Sequence, residues 1–224
     1  MIDKKYNKVL TIVLVIVVIA IFLVLGFWGY DIYKKYYINK GANDAVEEFD
    51  NRILNLKNTT NNDAQENVSL NIDVNQIEVG NATTSSSKIA SQTYKGFTVS
   101  GKIEIPKTKV MYPVLDRATK SSMEVSVGIA YGPGLNEVGN TVIMGHNYRN
   151  GTFFSNNKNL SNGDLIYITD LSGNRIKYTI YNVYTTGSND FDYATRDTAG
   201  KREISLSTCT DDVKSRLVIW AKED

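Results

Sequence analysis

Glu203-Ile204-Ser205-Leu206-Ser207-Thr208-Cys209 alternates as a strand does, with Ile204 and Leu206 to one face and Ser205, Ser207 and Cys209 to the other. The run breaks at Thr210-Asp211-Asp212 and resumes as Arg216-Leu217-Val218-Ile219-Trp220, which predicts a hairpin with a six-residue loop. With a symmetric register Cys209 faces Arg216, Ser207 faces Val218 and Leu206 faces Ile219. Opposed residues share a face, so a thiol and a guanidinium stand side by side at the mouth of the hairpin. A nearby cation favours thiolate, the nucleophilic form of cysteine. A guanidinium also offers a fixed, permanently charged donor to an oxyanion or a carbonyl.

Working outward, the chain from Gly96 onward carries the same short β-branched and aromatic runs, separated by turn residues. Candidate strands are Phe97–Ile105, Met111–Leu115, Asn140–Gly145, Leu165–Thr169, Ile176–Thr185, Glu203–Thr208 and Leu217–Lys222. Ser121–Val127 and Phe153–Leu160 fit short helical turns. Pro106, Pro113 and Pro133 fall at strand edges or in loops, where a missing N–H is tolerated. The expected domain is mostly β, a barrel or sandwich with few helices. His146 follows the strand Asn140–Gly145, where an imidazole serves as acid or base near neutral pH. A cysteine and a histidine at separate strand ends follow the logic of thiol acyl transfer. The residues alone also fit a hydrolytic cysteine peptidase, or an inactive membrane-anchored binding domain in which Cys209 is a small buried hydrophobe.

Composition narrows the classes. Among 224 residues, 25 Lys and Arg nearly balance 24 Asp and Glu, with no basic stripe, so nucleic acid is not an expected partner. The one Cys and one His can supply neither an internal disulfide nor a four-ligand Cys/His zinc site. Val9 to Tyr30 runs without a charge after Lys4, Lys5 and Lys8, and ends in Phe27, Trp28 and Tyr30. About 20 such residues span a bilayer core, and aromatic residues belong at its boundary. An uncleaved anchor is the favoured reading over a signal peptide, because the run is long and no A-x-A-like site follows. Lys34, Lys35 and Lys40 flank its far side, so the positive-inside rule barely decides; the very short N-terminal tail favours N-in. Val46, Phe49, Ile53 and Leu56 predict an amphipathic helix over Gly41–Lys57, read as a spacer resting on the domain. Asn58–Ser91 reads as a polar linker with weak apolar alternations at Val68–Val74 and Ile77–Val79. The expected divisions are a tail (1–8), an anchor (9–30), a juxtamembrane helix and linker (31–95) and a catalytic domain (96–224).

Ser205-Leu206-Ser207-Thr208-Cys209 resembles the T-L-x-T-C signature of the sortase family, with Ser in its first place, and Asn140–His146 resembles the strand that delivers that family's histidine. Gly101–Pro106, Tyr112-Pro113-Val114 and Leu160–Asp164 add to the resemblance, which covers residues 96–224. It implies an eight-stranded β-barrel behind one transmembrane helix, and a cysteine transpeptidase acting on an L-P-x-T-G-like sorting signal. By the same resemblance Cys209 is the nucleophile, His146 the acid and base, Arg216 the group holding substrate and oxyanion, and Thr208 an aid to that oxyanion. The implied partners are Gram-positive surface proteins bearing the signal and an amine of a cell-wall precursor or pilin. The implied location is the cell membrane, single-pass, with the N-terminus cytoplasmic and the domain extracellular. No cofactor is implied; some members bind calcium, and Asp190, Asp192 and Asp197 lie in a loop that could contribute ligands. The absence of an Asp-Pro-aromatic lid motif and the short Gly187–Arg202 segment lean toward class A or D, while the extended N-terminal region is class-B-like.

Overall fold

The computed structural model describes the backbone of residues 4–66 and 92–224, and side chains for residues 8–58 and 92–224. The apolar alternations at Val68–Val74 and Ile77–Val79 lie outside the described residues, as do the first three residues of the tail. Two compact units divide the chain at Gly41.

One helix, α1 (Lys4–Glu66), begins in the first unit and continues into the second. Up to Gly41 it contains the charge-free run, whose Val, Ile, Leu and Phe side chains are exposed. The helix is long and apolar enough to cross a membrane. At about 1.5 Å per residue, the run matches a hydrocarbon core of about 30 Å. The predicted separate helix at Gly41–Lys57 is part of one continuous helix, which runs on through Glu66, eight residues past Asn58. The long apolar run has no caps or breaks to mark where one helical stretch ends and another begins.

In the second unit, the α1 residues Ala45, Phe49 and Ile53 recur every four residues. They are buried in one cluster with Tyr94, Val99 and Leu115. Burial of a Phe side chain contributes about 2–3 kcal/mol. The seat is also polar: Gln92 Nε2 donates to the Ala45 carbonyl (3.0 Å) and Lys102 Nζ to Asp50 (2.7 Å). Gly173 is required beneath it. Its φ is +77°, and a Cβ there would lie 2.6 Å from Ile53 Cγ2.

The strands are β1 (Thr93–Tyr94), β2 (Phe97–Ile105), β3 (Val110–Leu115), β4 (Val127–Tyr131), β5 (Gly139–Met144), β6 (Leu165–Asp170), β7 (Arg175–Gly187), β8 (Arg202–Cys209) and β9 (Ser215–Glu223). β2 to β9 pair in the order β2-β3-β4-β5-β8-β9-β7-β6, and β6 pairs back to β2. The ring is an eight-stranded barrel, with β1 a short addition on the start of β2. Two strands were not expected. β1 has two residues, and β4 is Val-Gly-Ile-Ala-Tyr, in which Gly and Ala weaken the strand signal. The Ser121–Val127 segment opens with a helical turn, α2 (Lys120–Met123), capped by a reciprocal Thr119–Ser122 box, and then enters β4. Phe153–Leu160 contributes one 3₁₀ turn at Asn157–Asn159.

Two features of the barrel position the site. β5 and β8 are parallel, so their C-terminal ends reach the same rim. Across them Ile143, Leu206 and Ile219 form one fully buried row. The opposite face carries Val142, Met144, Val218 and Trp220, covered by Tyr193 and Ala194 from the β7–β8 connection.

Candidate active site

The β8–β9 hairpin has the predicted register: Cys209 pairs with Arg216, Ser207 with Val218 and Leu206 with Ile219. Cys209 is the last residue of β8 and half-buried. By alternation it shares the covered outer face with Ser205 and Ser207. The Tyr193 hydroxyl and Ser207 Oγ are hydrogen-bonded at 3.0 Å, so the β7–β8 connection sits directly beside the thiol's face. Arg216 is held by the same connection. Its Nε donates to the Ser188 carbonyl (2.9 Å), and its guanidinium lies 5.0 Å from the Phe191 ring centre. Among the described residues no second acceptor is bonded to that guanidinium, which has five N–H donors.

His146 arrives from the neighbouring strand. Met144 pairs with Ser207, and Gly145 N–H still donates to the Ser207 carbonyl at 3.3 Å. His146 and Cys209 each lie two residues beyond that pair, Cys209 at the end of β8 and His146 just past the end of β5. Position 145 has no room for a side chain, since a Cβ there would meet Val127 Cγ1 at 2.7 Å. The His146 carbonyl accepts from Phe154 N–H (3.1 Å). Its ring packs on Tyr148 at 4.9 Å, Tyr148 on Phe153 at 5.8 Å, and Phe153 on Tyr112 at 5.1 Å. Burial against these rings pulls the imidazole pKa below its ordinary value, opposed by the Glu124 carboxylate, which raises it.

Thr208 faces the barrel interior, opposite Leu217. It is 3% exposed, and its hydroxyl has no hydrogen-bond partner among the described residues. It lines a cavity of about 180 Å³ together with Cys209, Asn147, Lys158, Asp211 and Leu217. Two of the three loop aspartates serve local turns. Asp190 accepts from the Thr186 hydroxyl and Asp192 N–H, and Asp197 from Ala199 N–H. Among the described residues no group of three or more His, Cys, Asp or Glu could hold a metal ion.

Cys209, Arg216, Thr208 and His146 thus come together at one rim. Sequence reasoning missed Asn147, Tyr148, Glu124 and Asp211. Asn147 and Tyr148 had a signal, since they are the first and second residues after the histidine. Glu124 and Asp211 had none, because their partners are distant in sequence. A thiol beside a fixed cation, with an imidazole on the next strand, is suited to nucleophilic attack on a carbonyl and to proton transfer at the leaving group.

Comparison with known proteins gives a consistent picture. The model of the sortase domain family matches residues 103–224, more than half of the chain. Sortase A of Bacillus anthracis is 28% identical over 123 residues, 54% of this chain and 57% of that protein. The chain thus spans little more than half the length of that curated relative. Among solved structures, sortase A from Corynebacterium diphtheriae superposes with a TM-score of 0.52 at 28% identity, covering 57% of this chain and 61% of that one. A Clostridium perfringens sortase D5 transpeptidase gives 0.51 at 28% identity, covering 56% and 79%. Sortase C-1 from Actinomyces oris gives 0.51 at 25% identity, covering 55% and 71%.

Proposed function

The chain belongs to the sortase family, and from that premise we propose that it is a membrane-anchored cysteine transpeptidase that cleaves an L-P-x-T-G-like sorting signal and passes the acyl group to an amine. The observation that carries this reading is the Cys209–Arg216 register pair with His146 at the parallel neighbouring strand end. The Cys209 thiolate attacks the carbonyl carbon of the scissile peptide bond. The resulting oxyanion takes donors from the Arg216 guanidinium, and the Thr208 hydroxyl is the second donor. A buried hydroxyl without a partner costs about 1–3 kcal/mol, so a partner that forms only during reaction favours the transition state. Imidazolium at His146 gives its proton to the leaving amine, the C–N bond breaks, and a thioester on Sγ remains. The incoming amine attacks that thioester, loses its proton to neutral His146, and thiolate leaves. No cofactor enters either half.

The acceptor is an amine of a cell-wall precursor or of a pilin, and the clients are surface proteins carrying the signal. α1 anchors the enzyme in the cell membrane, with its N-terminus in the cytoplasm and the barrel outside. Full-length protein in detergent micelles, given a quenched L-P-x-T-G-type peptide and increasing amine, tests the reaction class. Amide product that grows with amine at constant peptide consumption supports transpeptidation. Free acid alone, at any amine concentration, identifies a hydrolase and overturns it.

A further inference from the structure

The loop that carries His146 leaves β5 and has no strand partner of its own beyond one isolated bridge, Asn147 to Phe153. Something must hold it against the β8–β9 hairpin if imidazole and thiol are to keep one separation. Asn147 Nδ2 makes that connection twice, donating to the Cys209 carbonyl (3.0 Å) and to Asp211 Oδ1 (2.9 Å). Its Oδ1 meanwhile accepts from Arg149 N–H (3.0 Å), which fixes the amide's orientation. Arg149 Nη1 reaches the Asp211 carbonyl (3.2 Å), and Lys158 Nζ the Asp211 carboxylate (2.6 Å). The residue after the histidine is thus bound to the cysteine's own backbone and to the second residue after the cysteine.

Resting on the transpeptidase reading above, we infer that Asn147 is a positioning residue, whose side-chain amide locks the His146 loop to the Cys209 hairpin and sets the imidazole against the thiol. Asp211 is the other anchor of this lock. Its oxygens go to Asn147 and Lys158, so its effect reaches His146 through the loop and not by contact with the ring. Magnitudes separate the members. Lys158 and Asp211 are about half exposed, 53% and 47%, so solvent screens that ion pair and it holds the loop weakly. The Asn147 bond to the half-buried Cys209 carbonyl is the directional one. Losing one neutral hydrogen bond is too small a change to unfold the barrel. Misplacement of reacting groups by about 1 Å, in contrast, costs rate up to about a hundredfold.

The test uses full-length Asn147→Ala, Asn147→Asp and the double variant Asn147→Asp with Asp211→Asn. Peptide turnover is read as kcat and KM, alongside thermal midpoint. His146 is the only histidine in the chain, so its imidazole NMR signal is unambiguous and needs no substrate. Methylthiolation of Cys209 reports whether the ring senses the sulfur. The expected results for Asn147→Ala are a kcat loss of about ten- to a hundredfold, KM within twofold, a midpoint within a few degrees, and a His146 shift on methylthiolation less than half that of the parent. Asn147→Asp, which opposes two carboxylates, is worse, and adding Asp211→Asn recovers part of the loss. An undiminished His146 response in Asn147→Ala, or kcat within twofold of the parent, overturns the inference. So does a parent whose His146 ignores the modification. A parent with a strong response and no amine-dependent turnover overturns the function instead and leaves the lock standing.

Discussion

Arg216→Lys keeps the positive charge beside Cys209 and removes the fork. The structure gives the cost. Nε, which donates to the Ser188 carbonyl at 2.9 Å, is lost, and a hydrogen bond involving a charged group contributes about 1.5–3 kcal/mol. The planar contact with Phe191 at 5.0 Å weakens as well, at about 0.5–1 kcal/mol for an exposed site. A flexible ammonium no longer presents a pre-aimed donor to the oxyanion, and removing such a donor costs about 2.7–4 kcal/mol in other enzymes. These losses overlap, because one side chain makes them all. A combined effect on the transition state of about 2–4 kcal/mol corresponds to a fall in kcat/KM of about 30- to 900-fold. The half-exposed position limits the effect on folding, so the thermal midpoint moves by only a few degrees. The assay is peptide cleavage with amine acceptor on full-length protein, run beside a thermal melt. A variant that keeps more than a third of kcat/KM refutes the idea that geometry, and not charge alone, is what Arg216 supplies. A midpoint drop above about 10 °C would make the residue structural.

The remaining expectations concern the helix seat and the imidazole. Phe49→Ala removes a side chain that is 2% exposed at the α1–barrel contact; the loss is about 3–5 kcal/mol, read as a drop of roughly 6–20 °C in thermal midpoint, and a drop under 2 °C would show that the helix does not dock there. Gly173→Ala combines a φ of +77° with a 2.6 Å approach to Ile53; it lowers the midpoint by a few degrees, and its effect is less than additive with Phe49→Ala because both act on one contact. Glu124→Gln removes the charge that raises the His146 pKa, so the single imidazole titrates at still lower pH by NMR; an unchanged or higher value contradicts the assignment. The stability sign follows from the same direction. His146 titrates lower in the folded protein than in the unfolded chain, so the unfolded state takes up its proton first. Stability from this group is present above about pH 6.5 and is lost as pH falls through the folded value. Glu124→Gln enlarges that acid-side loss.

Much of the barrel was legible because its strands obey a two-residue period. The β8–β9 register followed from symmetry alone, down to the Cys209–Arg216 pair. β4 escaped because Gly128 and Ala130 give no β signal and its order comes from pairing with β3 and β5. The length of α1 escaped because an apolar run has no face from which to read a period. Val46, Phe49, Ile53 and Leu56 did show one, and of these Phe49, Ile53 and Leu56 join the docking cluster, together with Ala45. At the site, the thiol, guanidinium and imidazole were visible as residue types at strand ends. The connections that hold them were not. Asn147 to Asp211 spans 64 residues and Arg216 to Ser188 spans 28. The first exists only once parallel β5–β8 pairing has brought two strand ends to one rim, and the second only once β7 has paired with β9.

The most direct measurement is intact-protein mass spectrometry of the full-length chain incubated with an L-P-x-T-G-type peptide and no amine. The account predicts an added mass equal to the acyl part of the peptide, mapped to Cys209, discharged to amide on adding amine, and absent in Cys209→Ala of unchanged thermal midpoint. A folded protein that forms no adduct with any such peptide, and whose Cys209 also resists small alkylating reagents, would contradict it.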